Sequence, residues 1–122
     1  MRDLFLIFIG SGLGGVLRFY LNLIFQKYSS GFPLGTLTAN LLGTFCIGLC
    51  SVLILEKNYL PDYTKELILL GFLGGLTTFS SFGYDSFTLY KNHLYFELSL
   101  YLFGNLFVGF ILLIIGRGIG NL

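Results

Sequence analysis

The sequence predicts an all-α integral membrane protein built from four transmembrane helices, on three observations. Hydrophobic residues make up 55% of the 122 and charged residues 11%, against about 25% charged in a soluble domain. Mean hydropathy is +0.84. The apolar residues fall in four runs, 4–25, 34–55, 66–90 and 96–115, each near or above the roughly 20 residues that cross hydrocarbon as a helix. These runs are apolar on all sides, whereas barrel strands alternate apolar and polar over about 10 residues. The length accommodates one domain over 1–122. A net charge of +1 gives no electrostatic footprint for a nucleic-acid partner.

The first run is read as a retained helix. It is too long for a signal-peptide core, and the only alanine in the chain is Ala39, so no A-x-A cleavage site can occur. The second run carries Cys46 and Cys50, one helical turn apart. With no His or acid near them in sequence, they read as small packing residues. The third run is the irregular one, with Gly74-Gly75, Thr77-Thr78, Ser80-Ser81 and the rings of Phe79 and Phe82. The lone His93 falls in the short loop before the fourth run and reads as a solvated loop residue.

The loops at 26–33, 56–63 and 91–95 are short, and four helices put both termini on one side. That side holds Arg2, Lys57, Lys65 and Arg117; the other holds Lys27 and Lys91, with Arg18 deeper in the first helix. Orientation follows the Lys/Arg bias of the loops, and here the bias is close to nil. It admits a single weakly set orientation, or dual topology with copies inserted both ways and paired antiparallel. Small residues four apart (Gly10/Gly14, Ala39/Gly43, Gly71/Gly75, Gly116/Gly120) let helix backbones approach closely. Most are read as packing within the chain and some as a dimer interface.

Polar residues at membrane depth are costly and mark a site by default. Those present are Arg18, Asn22, Thr36, Thr38, Asn40, Thr44, Thr77, Thr78, Ser80, Ser81, Asp85, Ser99, Tyr101 and Asn105. Hydroxyls can bond back to their own helix. Asn40 is more informative, because a carboxamide has two N–H donors that one helix cannot use; it serves either a helix–helix hydrogen bond or a pathway. The other acids lie at ends or in loops, and Asp85 approaches an interface, which argues against proton-coupled cation transport. Amides, hydroxyls and Arg18 suit an anion better.

Glycine costs about 1 kcal/mol in a helix relative to alanine, and threonine about half that. Irregular backbone at membrane depth survives only where protein or a water-filled cavity covers it. The third helix is therefore expected to break at 74–78, freeing carbonyls that can hold a cation. Phe79 and Phe82, three apart, then share a face and can turn their partly positive ring edges toward an anion.

These residues resemble the small fluoride channels called Fluc, or CrcB. The likeness is carried by GSGLGGVLRFY (10–20), GTLTANLLGTFCIG (35–48) and GFLGGLTTFSSF (71–82). It extends over essentially the whole chain and is loosest in the fourth helix. It implies a fluoride-selective channel, not an enzyme, that is multi-pass in the inner cell membrane and forms an antiparallel, dual-topology homodimer with two pores. It implies a buried sodium ion at the two-fold axis, held by backbone carbonyls of Gly74 and Thr77. It carries the family's phenylalanine pair onto Phe79 and Phe82, its pore asparagine onto Asn40, and its hydroxyl track onto Ser80 and Ser81. Tyr101 and Asn105 complete that track, and Arg18 stands in the vestibule. Gly83 departs from members with a serine there, so no hydroxyl is expected on that turn. Two rival readings are a small multidrug-type antiporter, which would need an acid in the middle of the first helix, and a non-transporting assembly subunit.

Overall fold

A computed structural model describes residues 1–122. It contains four helices long and apolar enough to cross a membrane: α1 (Arg2–Gln26), α2 (Leu34–Glu56), α3 (Lys65–Lys91) and α4 (Tyr95–Asn121). The protein is thus an all-helical, multi-pass membrane protein. Hydroxyl and glycine content makes α3 the least apolar of the four. Its helical dihedrals lapse at Thr77 and Thr78, between segments ending at Leu76 and resuming at Phe79.

Each turn between helices has a local cause. Gly31 adopts φ +92° after α1, a conformation open to glycine at little cost. Pro33 then caps α2 from outside, where its missing N–H is harmless, and its carbonyl accepts from Leu37 N at 3.1 Å. At the end of α2 the turn widens, with Lys57 N donating to Val52 O at 2.8 Å, and Asn58 takes φ 52°. The end of α3 is a Schellman motif: Leu94 N donates to Leu89 O and His93 N to Tyr90 O, both at 3.0 Å. His93 is its left-handed residue (φ 60°), exposed to solvent. Leu94 packs against the apolar cluster that contains Leu89, in keeping with the apolar contact that motif favours.

Helix pairing is set by glycine. The first part of α3 lies on α1, and the C-terminal part of α4 lies on α2. A Cβ at Gly10 would meet the backbone of Leu67, Gly71 and Phe72, and one at Gly14 would meet the Phe72 carbonyl. From the other side, a Cβ at Gly75 would strike Ser11. Gly48 abuts Leu113, and Gly116 abuts Phe45 and Leu49. These glycines serve packing within the chain. Gly120 against Val52 also explains why α4 runs on past Ile115 to Asn121.

Two small apolar clusters flank the lapse in α3, one of Ala39, Leu73 and Leu76 and one of Phe82, Leu89 and Tyr101. Cys46 and Cys50 are free thiols packed against the first. Large apolar side chains such as Phe5, Phe8, Leu13, Phe103, Phe110 and Ile114 point outward, as lipid contact requires.

Close approach makes a specific demand. Gly14→Ala is expected to lower stability by about 1–3 kcal/mol through overpacking. Gly12→Ala, where a Cβ meets nothing within 4 Å, is expected to be neutral or mildly stabilising. Unfolding in detergent followed by helical circular dichroism checks this; equal losses in the two variants would sink the close-approach account.

Candidate functional site

The site is organised around Thr77 and Thr78. Gly74 is helical (φ −62°, ψ −36°), and so is the chain through Leu76. Thr77 (φ −83°, ψ 147°) and Thr78 (φ −152°, ψ 128°) are extended. The irregularity expected at 74–78 therefore rests on the two threonines, whose β-branched side chains fit extended backbone. The adjacent Gly75 is helical and serves the approach to Ser11.

Asn40 reaches this backbone from α2. Its Oδ1 accepts from Thr78 N–H at 2.9 Å, and its Nδ2 donates to Thr78 O at 3.3 Å. Nδ2 also donates to Asn105 Oδ1 at 2.8 Å, and Asn105 Nδ2 donates to its own helix at Tyr101 O, 3.0 Å. Thr78 is the N-cap of the resumed helix: its Oγ1 accepts from Ser81 N–H at 3.3 Å. The Thr78 and Ser80 hydroxyls lie 2.9 Å apart. In an unbroken helix, Thr78 N–H would bond to Gly74 O and Ser81 N–H to Thr77 O. Both amides are engaged elsewhere, so those two carbonyls lose their helical partners.

The aromatic residues form a connected series. Phe79 and Phe82 have centroids 5.4 Å apart, Phe82 and Tyr101 5.6 Å. Phe32 meets Tyr101 edge-on at 5.8 Å. Phe82 is 8% exposed and Phe79 80%, so one ring is seated in the chain and the other projects from it. Tyr101 is fully buried and donates its hydroxyl to Asp85 Oδ2 at 3.0 Å. Arg18 Nη1 donates to Ser81 Oγ at 3.1 Å, and its buried Nε has no partner. Arg18 and Asp85 thus each meet a hydroxyl rather than each other; the chain's ion pairs are Arg2–Asp3 and Arg117–Glu56.

Asn40, Thr77, Phe79, Phe82, Asn105, Ser80 and Ser81 divide between two cavities, whereas Gly74, Tyr101 and Arg18 line neither. A groove of about 220 Å³ brings together Asn40, Thr77, Thr78, Phe79, Phe82 and Asn105. A second, of about 360 Å³, is lined by Asn22, Thr36, Ser80, Ser81, Tyr84 and Asp85. It shares Asn22, Thr36 and Asp85 with a wider mouth of about 490 Å³ under the α1–α2 loop. The Thr78–Ser80 hydroxyl pair joins groove and second cavity. Gly74 is exposed on the face of the single chain. Three contributors are not among the sequence-derived site residues: Thr78, Asp85 and Thr36. The first had a sequence signal, since a threonine before a resumed helical run is a capping residue. Asp85 and Thr36 stood out only as polar residues at membrane depth, because their roles depend on Tyr101 and Asn22 from other helices.

The groove offers neutral N–H and O–H dipoles and aromatic rings; the second cavity offers hydroxyls and the Asp85 carboxylate, with the Arg18 guanidinium bonded to its Ser81. A family model described as CrcB-like protein, Camphor Resistance (CrcB), matches residues 5–117. A protein of Azobacteroides pseudotrichonymphae named fluoride-specific ion channel FluC is 40% identical over 117 residues, covering 95% of this chain and 94% of its own. The protein so named from Hydrogenobaculum sp. is 35% identical over 116 residues, covering 95% of both chains. Its namesake from Chloroflexus aurantiacus is 36% identical over 122 residues, covering 99% of this chain and 97% of its own.

The capping role of Thr78 is open to measurement. Thr78→Ala is expected to lose about 1 kcal/mol of stability, and Thr78→Ser to keep most of it. Matched detergent unfolding of the two variants tests this, and a Ser variant no better than Ala would reject the cap.

Proposed function

The chain belongs to the CrcB-like family, and from that premise we infer that it is a fluoride-specific ion channel that lets cytoplasmic fluoride out by passive conduction. The observation that carries this reading is the likeness, over nearly the whole of both chains, to relatives named for that activity. The reading places the protein in the inner cell membrane.

The working unit is an antiparallel, dual-topology homodimer with two pores. Its support is the nearly balanced Lys/Arg distribution, together with Gly74 and the Phe79 ring left uncovered on one chain. Asn40, Phe79, Phe82, Ser80, Ser81, Tyr101 and Asn105 belong to the pathway, and Arg18 raises the local anion concentration at its mouth. Fluoride is small and holds its water tightly. It sheds that shell only where several dipoles meet it at once, and a narrow ring of weak donors is too tight for chloride.

A sodium ion at the two-fold axis fits the residues present. Gly74 and Thr77 would hold it through carbonyl oxygens whose helical amide partners are engaged by Asn40 and by the Thr78 cap. Hard cations take such oxygen donors. When bound, the ion supplies fixed positive charge that ties the two interruptions together.

Two measurements test this reading. Liposomes holding the purified protein should release fluoride rapidly and retain chloride. Phe82→Ile should abolish release in a folded dimer, and Thr77→Ala, acting where the backbone matters, should be mild. A folded dimer that releases no fluoride would remove the channel assignment and favour an assembly subunit. Replacing sodium with a large organic cation should lower the thermal midpoint of the dimer; no change would dismiss the ion.

A further inference from the structure

In the pathway just described Asn40 stands beside the ion, yet its side chain has no free donor. A carboxamide carries two N–H groups; those of Asn40 face Thr78 O and Asn105 Oδ1. Its oxygen accepts from Thr78 N–H. The amide cannot be turned over, because a backbone N–H only donates and a backbone carbonyl only accepts. Asn105 differs. Its oxygen accepts from Asn40, one N–H goes to Tyr101 O, and its amide also lies beside the Tyr101 hydroxyl, so it is tied to α4 and not to Thr78.

Resting on the fluoride-channel reading, we propose that Asn40 is a positioning residue, clamping both backbone polar atoms of Thr78 to hold the interruption open. The clamp has a definite competitor. Without it, Thr78 N–H can return to Gly74 O and close α3 into a continuous helix, because an unpaired amide at membrane depth finds whatever acceptor is near. Closure would re-aim Phe79 and Phe82, withdraw the Thr78 cap from Ser81, and hide the Gly74 carbonyl. Asn105 takes the remaining Asn40 N–H and is itself tied to α4.

The distinction is read from the Thr78 ¹³Cα and ¹³Cβ shifts, which separate extended from helical backbone, in threonine-labelled protein in liposomes, with fluoride efflux from the same preparations. Asn40→Ala is expected to move Thr78 toward helical shifts and to lose efflux together. Asn105→Ala is expected to leave Thr78 extended and still lose efflux. Lost or retained efflux with Thr78 still extended in Asn40→Ala would overturn the clamp, the former making Asn40 a direct ligand; retained efflux with Thr78 helical would overturn its role in conduction. Helical Thr78 shifts in Asn105→Ala would overturn the assignment of the clamp to Asn40 alone. Should Asn40→Ala fail to fold, Asn40→Asp keeps the acceptor for Thr78 N–H, so Thr78 should stay extended; helical shifts there would refute the clamp. Wild-type protein that passes no fluoride would sink the channel reading alone, since the shifts report on the clamp without it.

Discussion

Backbone amides and carbonyls that leave a helix inside a membrane have no water to bond, and each such group left unpaired costs several kcal/mol. The interruption at Thr77–Thr78 exists because one side chain from another helix answers that need. Asn40 presents a donor and an acceptor to the two polar atoms of Thr78, as a neighbouring strand would. The direction of the second half of α3, the pose of Phe79 and Phe82, and the loss of helical partners at the Gly74 and Thr77 carbonyls follow from this single carboxamide and the cap beside it. The Thr78 hydroxyl then caps the helix that restarts, so the threonine is held at its backbone and useful at its side chain.

The glycines solve a different problem. Lipid is as apolar as leucine, so helices in a membrane gain little from burying oil and much from close contact. Gly10, Gly14 and Gly75 bring α1 onto the first half of α3, and Gly48 and Gly116 bring α2 onto α4. The second half of α3 has no glycine pair of this kind. It is held by Leu89 and Phe82 against Tyr101. The first half is thus packed backbone to backbone through glycine, and the half that carries the phenylalanines is seated by side chains.

Charge is handled sparingly at the site. Arg18 and Asp85 both sit along it, yet each bonds a hydroxyl. A direct pair would cancel both charges locally. Divided as they are, Arg18 keeps its field and Asp85 is partly masked by Tyr101. The hydroxyl of Ser81 accepts from Arg18, which leaves its own proton available to donate.

The sequence by itself determined the class of protein, the four crossings and the family. Those properties are written in run length, composition and contiguous motifs, each a local quantity. It also marked the residues of the site, since Asn, Thr and Ser at membrane depth are conspicuous against leucine. It did not reveal that the threonines rather than the glycines carry the extended backbone, because Gly75 is committed to α1 across the helix interface. Nor did it reveal that Asn40 faces Thr78, that Asp85 serves Tyr101, or that Arg18 serves Ser81. Those partners lie between 16 and 63 residues apart in the chain. Only packing decides which of several donors and acceptors at one depth meet, and a hydrogen bond needs placement to within a fraction of an ångström, which no local pattern encodes.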